Sequence, residues 1–96
     1  MLKLKLVFEC PEVTEEILTG VFECLINENE TIRQKVQQLD CQPGLVKVLM
    51  AFSIDDDLKS QVNYVWRVAK TRLKRLGCDN LKLHVGSVDS PAVLYQ

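Results

Sequence analysis

A chain of 96 residues, 47% apolar and 26% charged, has room for one domain built on one modest core. Its formal charge of −1 creates no overall field toward nucleic acid or an anionic membrane. No apolar run reaches the ~20 residues that a bilayer span requires.

Residues 2–8, LKLKLVF, alternate strictly. Leu2, Leu4, Leu6 and Phe8 face one way, while Lys3, Lys5 and Val7 face the other, which predicts a strand with one buried side. The alternation also separates this segment from a signal peptide.

Residues 12–40 read as helical. Pro11 suits a first turn, and Glu12, Glu15 and Glu16 suit the positive end of a helix dipole. Val13, Ile17, Val21, Cys24 and Leu25 form an apolar stripe that Ile32, Val36 and Leu39 continue. Asn27 and Asn29 flank Glu28 and predict a kink or break, so one long helix and two helices over 12–27 and 30–40 both fit.

Gln42-Pro43-Gly44 is a turn. Residues 45–54, LVKVLMAFSI, predict the most apolar strand, with Val46, Val48, Met50, Phe52 and Ile54 on one face. Residues 56–76 then carry Val62, Trp66, Ala69, Leu73 and Leu76 at helical spacing, with acidic capping residues before them and Gly77 as the stop. Residues 80–86, NLKLHVG, alternate again, with Lys82 and His84 outward. Ser90-Pro91 turns the chain into AVLY, a short last strand.

The order β-α-β-α-β, with an optional fourth strand, predicts an α/β two-layer open-faced sandwich over residues 1–96. Right-handed crossovers that cover one face give strand order 1-2-3 with both helical segments on that face. The alternative is a ferredoxin-like α+β fold, which needs two more strands than the periodicity shows.

Four cysteines, Cys10, Cys24, Cys41 and Cys78, lie too far apart to form the close pairs of a zinc site. They read as reduced residues of a cytoplasmic protein, with Cys24 in the core and Cys78 in a loop. The one histidine, His84, leaves no basis for a His-based cluster. No motif implies a cofactor.

Cys10 lies between a strand and a predicted helix, where a dipole stabilises a thiolate. Cys10-Pro11-Glu12-Val13 resembles the Cys-Pro-x-Pro motif of the bacterial sulfur-carrier family over four residues, with Val13 in place of the second proline. The resemblance implies a carrier thiol at Cys10. Glu9, Glu12, Glu15 and Glu16 oppose such a role by raising the thiol pKa. Glu9 with Asp55 and Asp57 forms an alternative Mg²⁺ cluster at strand ends, although helix capping alone explains the aspartates.

Lys3, Lys5, Lys47, Lys82 and His84 point to the uncovered side of the sheet as an alternative anion or RNA platform. That face offers no aromatic side chain for base stacking, which argues against nucleic acid. Arg72 falls inside the apolar arc of the second helical region, beside Val65 and Val68. Glu28 falls inside the arc of the first, so the two charges either pair with each other or mark a contact surface. The reading is a cytoplasmic, non-enzymatic adaptor or regulatory module with a protein partner or a homodimer interface at Val65, Val68 and Arg72. The alternatives are a thiol carrier and a weak nucleic-acid binder.

Overall fold

The computed structural model describes residues 2–87 and 93–95. In chain order its elements are β1 (Leu2–Glu9), α1 (Glu15–Glu28), α2 (Glu30–Lys35), β2 (Val36–Gln42), β3 (Leu45–Phe52), α3 (Leu58–Arg75), β4 (Lys82–Ser87) and β5 (Val93–Tyr95). The strands form one sheet in the order β2-β3-β1-β4-β5, and every neighbouring pair is antiparallel. The chain is a small α+β fold with an open antiparallel sheet and three helices.

The parallel order 1-2-3 is therefore incorrect. The cause is β2, which occupies the end of the segment expected to be helical. Once β2 is placed, the first helical crossover joins β1 to β2, and β3 returns between them. The connectivity β-α-β-β-α-β is that of the ferredoxin-like alternative. Val93–Tyr95 of the expected last strand pair antiparallel with β4, while Ala92 and the Ser90-Pro91 turn lie outside the described residues.

Core formation follows from the alternation. Leu6, Phe8, Val46, Val48, Met50, Phe52 and Leu83 are buried on one side of the sheet. They form a single cluster with Leu18, Phe22, Leu25 and Ile26 of α1, Ile32 of α2, and Val62, Val65, Ala69 and Leu73 of α3. Ile54 lies beyond the end of β3 and is almost fully exposed, not inward as the alternation suggested.

Helix boundaries have local chemical causes. The Thr14 hydroxyl accepts from Ile17 N, so α1 begins three residues beyond the expected start and Pro11 lies in the preceding loop. Asn29 ends α1 and caps α2, its side chain accepting from Ile32 N at 3.1 Å. Asp57 caps α3 by accepting from Ser60 N at 3.1 Å. At the far end Gly77 N donates to Lys74 O and Cys78 N donates to Leu73 O, a Schellman pattern with Gly77 at φ +96°.

The loop after β1 is laced to the β2–β3 turn. Cys10 N donates to Gly44 O at 2.8 Å, and Gly44 N donates to Val13 O at 3.1 Å. Gly44 has φ +73°, and a Cβ there would sit 3.1 Å from Pro11 Cα. Only glycine meets both constraints.

Candidate functional site

Cys10 is fully buried, and its sulfur is joined to that of Cys78 in a disulfide whose Cα atoms are 6.5 Å apart. The Schellman turn at the end of α3 directs Cys78 inward to this meeting point. This corrects the reading of Cys78 as a free loop thiol and of all four cysteines as reduced. It also removes the basis for a carrier thiol at Cys10, since α1 begins only at Glu15 and the sulfur is inaccessible. Cys24, expected in the core, is exposed. Burial pushes the Cys41 thiol up despite its hydrogen bond with Thr19, and so disfavours the thiolate form.

The proposed Mg²⁺ cluster is dispersed by the antiparallel register. Glu9 pairs with Leu45 and Leu2 with Phe52, so Glu9 stands seven residue steps, about 23 Å, from the end of β3 that leads to Asp55 and Asp57. Among the described residues no group of three or more His, Cys, Asp or Glu side chains is placed to hold a metal.

Of the aspartate run, Asp57 caps α3 and Asp56 holds the loop before it. Asp56 Oδ2 accepts from Lys35 Nζ at 2.8 Å, from Ser53 N at 2.6 Å and from Ser53 Oγ at 3.2 Å. These contacts tie the β3–α3 loop to the end of α2. The Lys35 hydrogen bond, followed by that from Ser53 N, brings the Asp56 carboxyl from its ordinary 3.8 down to about 2. An unfolded chain protonates Asp56 first as the pH falls. Its contribution is therefore complete above about pH 4 and lost progressively toward pH 2. Asp56→Asn is expected to flatten the acid limb of a pH–Tm profile over that interval. Parallel limbs for variant and native chain would refute the assignment.

Arg72 Nη2 donates to Glu28 Oε2, joining α3 to α1. The two charges flagged by the helical wheel thus pair with each other. This hydrogen bond raises the guanidinium pKa above its ordinary value. Val65, placed at the interface from sequence, is buried in the core. Val68 is half-buried and Arg72 lies at the surface, so the contact surface loses its Val65 anchor.

The structure supplies another anchor. Ile17, Val21 and Cys24 of α1 line a broad apolar groove with Arg72, Arg75 and Leu76 at the end of α3. Ile17 is 43% exposed and Leu76 53%. Both belong to the apolar periodicity of their helical segments, yet both stand at the surface.

The opposite side of the sheet holds the predicted cationic set. Cross-strand partners share a face, so the register places Lys3 beside Ala51, Lys5 beside Leu49, and Lys47 beside Val7. His84 lies on the other flank of Val7, and Lys82 lies beside Glu9. Asp40 of β2 lies beside Lys47. The pairing that forms is His84 Nε2 with Glu9 Oε2 at 2.6 Å, while Gln42 Nε2 donates to Asp40 at 3.1 Å. A shallow depression is lined by Lys5, Gln38, Asp40, Lys47 and Leu49. The Glu9–His84 contact was not foreseen, although alternation put both outward, because the parallel order separated their strands.

No helix among the described residues is long and apolar enough to cross a membrane. No protein-family model, curated protein or solved structure matches the chain.

Proposed function

We propose that this chain is a non-enzymatic adaptor or regulatory module that binds a protein partner through the patch between α1 and α3. The observation that carries the reading is the exposure of Ile17 and Leu76 on adjacent helices, beside Val21 and Cys24. Large aliphatic side chains grouped at the surface and bordered by arginine have the composition of an interface centre. Arg72 is held by Glu28, which lowers the entropy cost of presenting its guanidinium edge. A second copy and a foreign protein both satisfy this chemistry.

Sedimentation of the pure chain tells the two apart. Ile17→Asp and Leu76→Asp are each expected to weaken the measured association about tenfold, the loss typical of a modest hot spot. Lys59→Glu, on an exposed residue of α3 outside the patch, is the control. Unaltered association by both aspartate variants would eliminate the patch.

A further inference from the structure

We propose that the open side of the sheet is a second binding surface, separate from the helix-side patch, and that its ligand is an acidic amphipathic segment of another protein. The inference rests on how charge is partitioned there. Two carboxylates share the face with Lys3, Lys5, Lys47 and Lys82, yet both are occupied by other groups. Glu9 is engaged by His84, and Asp40 accepts from Gln42. The four lysines make no ion pair or hydrogen bond among the described residues, although Asp40 lies directly across from Lys47. The two local acids thus have contacts of their own, and four ammonium groups, twice their number, remain available to external carboxylates.

The spaces between the lysines are apolar. Val7 and Leu49 are half-buried, and each sits beside a lysine in the cross-strand register. A ligand with alternating carboxylate and aliphatic groups complements that checkerboard. A second copy meeting this chain through the same face sets lysines against lysines, which the charges oppose. A single-stranded nucleic acid also satisfies the lysines, but among the described residues this face has no aromatic ring on which its bases could stack.

The experiment is fluorescence anisotropy with four probes: a synthetic Glu/Leu amphipathic peptide, its Gln/Leu and Glu/Gln counterparts, and an oligouridylate. The Glu/Leu peptide is expected to bind at physiological salt and the other three at least about tenfold more weakly. Lys5→Glu combined with Lys47→Glu is expected to weaken Glu/Leu binding about tenfold, and Lys5→Gln with Lys47→Gln by a smaller factor. Lys59→Glu with Lys74→Glu, both on α3, should leave it unchanged. Melting curves establish that each variant is folded. Absence of Glu/Leu binding, equal binding of any other probe, or indifference to the Lys5 and Lys47 changes would each overturn the proposal. Ile17→Asp should leave this binding intact, so failure here and failure at the helix-side patch are read separately.

Discussion

Reduction of the Cys10–Cys78 disulfide is expected to lower the free energy of unfolding by about 4 kcal/mol. The bond links residues separated by 68 positions, so it removes a large share of the unfolded chain's freedom. The loop-entropy relation for a closure of this size gives that figure. For a domain of this length the loss corresponds to a fall in Tm of about 20 °C. It is also a substantial part of the ~5–15 kcal/mol that holds an ordinary domain together. Reduction deletes no packed atoms, so the measurement isolates the cross-link from cavity effects. Cys10→Ala with Cys78→Ala should lower stability by at least as much. Denaturant unfolding with and without dithiothreitol reads the difference, and the mass of the intact chain shows whether the bond has formed. Equal midpoints, or four thiols rather than the two of Cys24 and Cys41 alkylating in the unreduced, unfolded chain, would refute the structural role. A reducing cytosol keeps such a pair as thiols, so the same measurement bears on the compartment the cysteine spacing suggested.

Legibility from sequence depended on whether each element followed a single period. β1, β3 and β4 alternate cleanly, and α3 carries one apolar stripe with a cap at Asp57 and a stop at Gly77. All four were readable. β2 was not, for a specific reason. Val36 opposes Met50 and Leu39 opposes Val48, and both of those partners are inward-facing. A register shift between Val36 and Gln38 inserts one residue, so two inward positions of a strand fall three apart. That is helical spacing. Residues 36–39 thus continued the pattern of the preceding helix, and the strand order failed with them.

The site was legible to the same degree. The helical wheel found Arg72 and Glu28 because an unpaired charge in an apolar arc requires an explanation. It could not orient α1. Apolar residues cover about 200° of that helix, from Cys24 and Ile17 round to Ile26. Leu18, Phe22, Leu25 and Ile26 take the buried half. The remaining flank, Ile17, Val21 and Cys24, is more apolar surface than a single core contact can cover. It is this surplus that forms the helix-side patch. Only the packing direction distinguishes the two halves, and that depends on β1, where Phe8 receives Phe22.

Phe22→Ala is accordingly expected to cost 3–5 kcal/mol, roughly the usual range for emptying an aromatic core site. Phe22 has no exposed surface, and its ring lies 4.9 Å from that of Phe8 at a 58° tilt. Such a pairing adds about 1 kcal/mol to the simple burial term. Few neighbours can refill the void, since Phe8 is fixed on a central strand and Leu18 and Leu25 are themselves fully buried. Phe22→Leu should recover more than half of the loss by restoring most of the volume. The two variants should also divide the surfaces functionally. Phe22 holds α1 to the sheet, so its truncation should loosen Ile17 and Val21 and weaken association through the helix-side patch. Binding of the Glu/Leu peptide should persist at temperatures below the lowered Tm, because Lys5 and Lys47 belong to strands that pair directly with each other. A Phe22→Ala cost below about 1 kcal/mol would mean that α1 is not anchored at this point. Equal loss at both surfaces would mean that the sheet is not independent of the helix above it.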